Sequence, residues 1–178
     1  MQISLAENYR KYWTGLGISE RLVAERGFPL FEEAADLEVA ERSPDGRQHS
    51  LTPTAAAAWR KMKAAAHKNS IAIYIVSAHR SVTRQTDIIS RKLQAGQSLE
   101  EILAVNAPPG CSEHHTGRAV DIGTGGSPPL ETEFESTPAF QWLLDHAAQY
   151  GFHLSFPEGN EWGYRYEPWH WCHSQSGA

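Results

Sequence analysis

A helical pattern followed directly by a β-branched run, between residues 52 and 76, constrains the architecture of this chain most. Thr52 and Pro53 suit the N-cap and the first position of a helix, and apolar residues recur at helical spacing from there to Asn69. The run IAIYIV at 71–76 is too short for an ordinary helix and is typical of a central strand. We therefore expect a helix with one buried stripe beside a sheet.

Shorter elements follow, and their order indicates the fold class. Helices are predicted from Ser81 to Gly96, after the capping pair Ser98 and Glu101, and from Thr137 to Gly151 with Phe140, Leu143, Leu144 and Ala147 facing inward. Strands are predicted at RAVDIG (118–123), FHLSF (152–156) and PWHWCHS (168–174). Because helices and strands mix without a regular βαβ rhythm, we expect an α+β fold with a small, largely antiparallel sheet flanked by helices.

The length and charge of the chain narrow its organisation and partners. The 178 residues fit a single domain, in which residues 1–50 form a peripheral segment packed on a main domain of residues 51–178. A net charge of -5 without a Lys/Arg run gives no support for binding nucleic acid or an anionic membrane. No apolar run approaches the roughly 20 residues that a membrane helix needs. We expect a monomer without membrane insertion.

The N-terminal residues bear on the compartment. The stretch MQISLAENYRKYW lacks the apolar centre of a secretory signal peptide. We therefore expect a cytoplasmic protein, or one outside the membrane if the chain is a trimmed piece of a longer protein.

Histidines are enriched in the C-terminal half, where they form a candidate metal site with an aspartate. His114 precedes the predicted strand at 118–123, Asp121 lies on that strand, and His170 lies on the last strand candidate. One sheet can bring these three side chains to one point, and a catalytic zinc site uses three such ligands. Glu167 is the nearest additional carboxylate for general-base work, provided that it lies in a turn before its strand, which Pro168 favours.

Three separate blocks of this sequence resemble a known family. The stretch SEHHTGRAVDIG fits the pattern Ser-x-His-x-x-Gly-x-Ala-x-Asp, EPWHW fits a closing Glu-x-x-His, and SAHRSVTRQ lies upstream. In order and spacing they resemble the VanY-type D-alanyl-D-alanine (or L,D-) carboxypeptidases, zinc peptidases that trim the stem peptide of bacterial peptidoglycan. The resemblance spans roughly residues 51 to 171, and it implies the fold of hedgehog and D-Ala-D-Ala zinc peptidases.

The resemblance also implies roles for individual residues. It implies one zinc ion per chain, held by His114, Asp121 and His170, with Glu167 as the general base. It implies that Arg80 contacts the substrate near the scissile bond, since an arginine offers a planar fork of donors to a carboxylate or an oxyanion. Three further residues are expected to line the substrate pocket: Ser77, Gln85 and Ser112.

Some positions depart from the family pattern. The two residues between Ser77 and Arg80 are not the usual glycine and tyrosine, so one wall of the pocket is expected to differ. His115 stands where the family often has glutamine, and we expect it behind the ligands or at the pocket rim, not on the metal. Trp169 is expected to pack at the rim as well.

The two cysteines leave a choice open. Cys111 and Cys172 flank the two ligand blocks, so a shared metal would bring them near the separation that a disulfide needs. A disulfide would indicate an oxidising compartment, whereas two free thiols agree with the missing export signal.

The function implied by the resemblance is a zinc-dependent carboxypeptidase that removes a terminal D-alanine from a peptidoglycan stem peptide or muropeptide. The bond cut is either D,D or L,D. Two alternatives remain, an endopeptidase like phage lysins of similar motif, and a non-catalytic zinc-holding module like the hedgehog signalling domain. Glu167 and Arg80 argue against the non-catalytic module.

Overall fold

A computed structural model describes residues 4–174 of the chain. Its α-helices are α1 (Leu5–Leu16), α2 (Glu20–Glu25), α3 (Pro53–Lys68), α4 (Val82–Gln94), α5 (Leu99–Leu103) and α6 (Pro138–His146). Its strands are β1 (Glu38–Arg42), β2 (Gln48–Leu51), β3 (Tyr74–Ser77), β4 (Ala119–Gly123), β5 (Phe152–Leu154) and β6 (His170–His173). Short 3-10 helices cover Glu113–Thr116, Thr132–Ser136 and Ala147–Tyr150. Among these described helices, none combines the length and the apolar character needed to cross a membrane.

The strands form two antiparallel sheets. The central sheet has the strand order β3-β4-β6-β5, and β1 pairs with β2 in a separate hairpin. This confirms the predicted α+β fold with a small antiparallel sheet flanked by helices. The predicted first strand is present but starts at Tyr74, because the Ile71 N–H still bonds to the Ala66 carbonyl in the last turn of α3.

The two faces of the central sheet have different tasks. Val120, Ile122 and Trp171 face the main core, which α3 and α6 cover. The alternate residues Asp121 and His170 face the other way, as strand periodicity requires. One face of the sheet therefore packs against the core, and the other presents Asp121 and His170. We call this second face the chemical face.

Helix α6 corrects one sequence expectation. Leu144 was predicted to face inward, but it is half exposed. Trp142 is buried instead, and its indole N–H donates to the Asn69 side chain at 2.8 Å. With Ala139 also buried, the apolar stripe of α6 is rotated away from Leu144.

Residues 4–50 contain helices and strands that the sequence patterns did not predict. Helices α1 and α2 pack with α4 and α5 in a second apolar cluster that includes Trp13, Val23 and Ile89. The indole of Trp13 donates to the Pro109 carbonyl at 2.7 Å, and the Ala34 N–H donates to the His115 backbone carbonyl at 2.8 Å. The N-terminal segment thus braces the loop that leads into the first 3-10 helix.

Candidate metal centre

Three predicted ligands meet on the chemical face of the central sheet. Asp121 on β4 lies directly opposite His170 on β6, and His114 enters from the 3-10 helix at 113–116. The Nε2 atom of His114 is 3.2 Å from one Asp121 oxygen, and the Nδ1 atom of His170 is 3.0 Å from the other. All three side chains are buried, and their ligand atoms lie within 4.8 Å of one another.

In His114 and His170, the ring nitrogen that does not face Asp121 already forms a hydrogen bond. Nδ1 of His114 donates to the Ala78 carbonyl at 2.7 Å, which leaves Nε2 facing Asp121. Nε2 of His170 donates to a Glu113 carboxylate oxygen at 2.9 Å, which leaves Nδ1 facing Asp121. Metal-binding histidines are oriented in this way by carbonyl and carboxylate acceptors. Two imidazole nitrogens and one carboxylate therefore fit a zinc site with an open fourth position.

The charges of His114, Asp121 and His170, which we call the ligand row, offset one another. Burial by itself would raise the pKa of Asp121, but the neighbouring His114 and His170 hold that pKa well below its ordinary value. Burial opposes the protonation of His170, yet the Asp121 and Glu113 carboxylates raise its pKa to about 10. A proton on His170 therefore balances the buried carboxylates when no cation is bound.

His115 is fully buried behind the ligand row and does not reach the cavity rim. Its Nδ1 donates to the Arg80 carbonyl at 2.6 Å, and its Nε2 accepts the Gly110 N–H at 3.1 Å. Burial lowers the pKa of His115 to about 4, so the ring is neutral near pH 7. Both nitrogens are used by the backbone, and neither is available to a metal.

Glu167 lies in a turn directly before β6. Its carbonyl accepts the His170 N–H at 3.0 Å, with Pro168 and Trp169 as the central turn residues. This turn brings a Glu167 oxygen to 3.9 Å from Nδ1 of His170. Burial, helped by the negative charge of Asp121, raises the pKa of Glu167 to about 7. A carboxyl group with such a pKa beside a metal site is suited to proton transfer near neutral pH.

Arg80 is held in place by two of the residues predicted to line the pocket. Its Nη1 donates to the Gln85 side-chain oxygen at 3.0 Å, and its Nη2 donates to the Ser77 hydroxyl at 3.1 Å. Nη2 also lies 3.9 Å from Asp121. Ser77 thus contacts the guanidinium group of Arg80, and its place in the substrate pocket stays a prediction.

A bulge explains why Ser77 faces the site. In the β3-β4 pairing, Ile75 lies opposite Ile122 but Ser77 lies opposite Asp121, so one extra residue interrupts the register. Such a bulge re-aims the side chain that follows it. Ser77, Asp121 and His170 consequently lie side by side on β3, β4 and β6.

A cavity of about 750 Å³ opens over the ligand row and Glu167. Ser112, Gln85 and Trp169 lie on its wall, as do the ligands and Arg80. Phe156 and Lys92 are among the wall residues that sequence reasoning missed. Phe156 covers His170, with ring centroids 4.6 Å apart, and Lys92 donates to the Asn106 side chain at 2.6 Å.

Lys92 and Arg80 make one end of the cavity positive. Burial lowers the pKa of Lys92, and the nearby charge of Arg80 lowers it further. The spacing of Gln85 and Lys92 by two helical turns of α4 was a signal that could have identified Lys92. Glu113 carried no such signal, because its partner His170 is 57 residues away.

The cysteine alternative is resolved in favour of thiols. Cys111 and Cys172 are both buried and both free.

Two buried histidines and an aspartate beside a carboxyl group of raised pKa are the arrangement of a zinc metallopeptidase. The family model "VanY: D-alanyl-D-alanine carboxypeptidase" matches residues 48–176, and the chain belongs to this family. All of the site residues described above lie within the matched residues.

Individual relatives agree with this assignment. The chain is 37% identical over 121 residues to the putative carboxypeptidase YodJ of Bacillus subtilis, a match that covers 65% of this chain and 43% of YodJ. The chain thus spans less than half the length of that relative. The structure of the LdcB LD-carboxypeptidase superposes with a TM-score of 0.72 at 31% identity, covering 82% of this chain and 71% of LdcB.

A more distant structure shares the fold. A vancomycin-resistance D,D-pentapeptidase VanY, solved in complex with Zn(II), has a TM-score of 0.61 and 23% identity. The match covers 83% of this chain and 88% of that protein.

Proposed function

We propose that this chain is a zinc-dependent carboxypeptidase that removes a terminal D-alanine from peptidoglycan stem peptides. The observation that carries the proposal is the shared cavity, in which His114, Asp121 and His170 lie beside Glu167 and face a cationic end. The VanY relative solved with Zn(II) supports zinc as the ion. The LdcB study, which concerns peptidoglycan recognition, supports the substrate class.

The residues divide the reaction between them. A zinc ion held by the three ligands would polarise the scissile carbonyl and acidify the attacking water. Glu167 takes the proton from that water and passes it to the leaving amine. The raised pKa of Glu167 suits both halves of this transfer, because the group accepts and releases a proton near pH 7.

The cationic end of the cavity favours an exopeptidase. Arg80 and Lys92 offer charged donors to the carboxylate of a C-terminal D-alanine. An internal peptide bond has no carboxylate at that point, so an endopeptidase substrate would offer Arg80 and Lys92 no anionic group to pair with. Ser77 and Gln85 hold Arg80 in position for this contact, and Ser112 lines the same cavity.

We propose the L,D reaction as the main activity. The likeness to the LdcB LD-carboxypeptidase, at 31% identity, exceeds that to the D,D-pentapeptidase VanY, at 23%. Both reactions release the same D-alanine, so the cationic end serves either one. The residue before the scissile bond then decides between a tetrapeptide and a pentapeptide substrate.

The test is a parallel digestion of purified tetrapeptide, pentapeptide and cross-linked dimer muropeptides by the zinc-loaded protein, followed by mass spectrometry. We expect the loss of one alanine mass, faster from the tetrapeptide. Faster loss from the pentapeptide would assign the D,D reaction. Conversion of dimer to monomers without alanine loss would indicate an endopeptidase, and a zinc-loaded protein inactive on all three would indicate a binding module.

A further inference from the structure

A second group of potential ligands lies next to His170, farther along the chemical face of the central sheet. His153 on β5 and Cys172 on β6 are directly opposite in register. Cys172 is two residues after His170, so both side chains lie on the same face of β6. Glu113 reaches this group from the 3-10 helix at 113–116. The chemical face of the sheet therefore carries ligating groups all the way to its edge strand.

The atoms of this second group converge as a metal site requires. A nitrogen of His153, the sulfur of Cys172 and a carboxylate oxygen of Glu113 lie within 4.8 Å of one another. A zinc ion binds such atoms at roughly 2.0 to 2.3 Å in a tetrahedral arrangement, so small side-chain rotations bring the three atoms to one ion. A thiol and an imidazole select zinc and similar ions over magnesium or calcium.

The surroundings provide a further potential donor and a route for entry. The Ser155 hydroxyl is buried close enough to the Glu113 carboxylate to help lower the pKa of that carboxyl group. His153 is exposed on β5, the edge strand of the sheet. His153 and Cys172 do not line the substrate cavity, so an ion reaches them from the sheet edge and not past Arg80.

We propose that Glu113, His153 and Cys172 form a second site for a thiophilic divalent cation such as zinc. The thiol proton of Cys172 leaves to solvent as the sulfur binds the ion. This site is weaker than the first, because two nearby cations repel each other and because Glu113 also accepts a hydrogen bond from His170. Since Glu113 is shared, an ion in the second site weakens its hold on His170, and excess zinc lowers turnover.

Cobalt(II) distinguishes the two sites by spectroscopy. The first site offers only nitrogen and oxygen ligands, whereas the second offers the sulfur of Cys172. When metal-free protein is titrated, the first equivalent of cobalt should give no thiolate-to-cobalt charge-transfer absorption in the near ultraviolet. The second equivalent should produce that absorption. Mass-spectrometric metal analysis should count two ions per chain at saturation.

Matched variants test the assignment. His153→Ala changes an exposed side chain, so the fold is retained, and it should bind one cobalt ion without the thiolate absorption. Cys172→Ser should do the same, whereas Cys111→Ser should keep both ions and the absorption. Excess zinc should inhibit the unmodified protein but not His153→Ala.

The outcomes separate this inference from the proposed function. An unmodified protein that saturates at one cobalt ion without the absorption would overturn the second site and leave the carboxypeptidase proposal intact. Absorption that persists in Cys172→Ser would overturn it as well. A protein whose first equivalent of cobalt fails to bind would overturn the proposed function instead.

Discussion

The two sides of the cavity are built by different means. On the metal side, Asp121 and His170 face each other across a strand ladder, so the backbone fixes their separation. On the cationic side, the long side chains of Arg80 and Lys92 are held by hydrogen bonds to other side chains. Backbone strand pairing fixes where Asp121 and His170 lie, whereas a long side chain can shift slightly and keep or replace its hydrogen bond. Changes on the metal side should therefore remove function, and changes on the cationic side should tune it.

The largest effect on turnover is expected from Glu167→Gln. The amide keeps the shape of the side chain but cannot accept the proton, so kcat should fall by about 10²- to 10⁴-fold while zinc stays bound. Steady-state kinetics on the tetrapeptide and metal analysis measure the two quantities. Glu161→Gln, an exposed change in the preceding turn, should leave both unchanged. A Glu167→Gln enzyme with near-normal kcat would remove Glu167 from the mechanism.

The same substitution should make the metal-free protein more stable at high pH. Burial raises the pKa of Glu167 from 4.5 to about 7, so ionisation of this group costs folding free energy as the pH rises through that range. Glutamine stays neutral, and it should add up to about 3 kcal/mol to the unfolding free energy above pH 7. Below pH 4.5 the two proteins should have equal stability. Urea unfolding at both pH values measures this, and a pH-independent difference would contradict the burial argument.

A smaller effect on the metal side is expected from Glu113→Gln. The amide oxygen still accepts a hydrogen bond from His170, but the negative charge is lost. Loss of such a supporting carboxylate typically costs about 10- to 100-fold in metal affinity. Competition with a chelator at one zinc equivalent per chain reports the tighter site alone. Unchanged affinity would show that the ladder suffices to orient His170.

The cationic side should respond most mildly. Arg80→Lys keeps the charge but loses the fork that engages Ser77 and Gln85, so kcat/KM should fall about tenfold with zinc content unchanged. Arg91→Lys, an exposed change on α4, the helix that follows Arg80, is the control. A loss of zinc in Arg80→Lys would contradict the separation of the two sides, because it would show that Arg80 also supports the metal ligands.

Local patterns predicted the elements that carry their own signals. The capping pair Ser98 and Glu101 forms both of its hydrogen bonds, and the predicted helices and the strands of the central sheet are present. The ligand blocks were recognisable because His114 and Asp121 lie in one short motif, and Glu167 and His170 lie in another. Residues a few positions apart in sequence lie near each other in space without any contribution from tertiary packing.

The remaining features depend on tertiary packing. Glu113 meets His170 only when two distant segments pack together. Ser77 faces the site because of a bulge, which the alternation of residues does not reveal. The inward side of α6 was misjudged at Leu144, since the contact of Trp142 with Asn69 sets the rotation of the helix. In each case a contact distant in sequence overrides the local pattern.

The central claim is that His114, Asp121 and His170 hold the zinc ion and that Glu167 does not. The most direct measurement is the zinc content of four alanine variants at these positions, after dialysis against a chelator that removes weakly bound ions. Circular dichroism checks that each variant is folded. We predict that the three ligand variants lose tightly bound zinc, while Glu167→Ala retains one ion per chain without turnover. Tightly bound zinc retained in all three ligand variants would contradict the assignment.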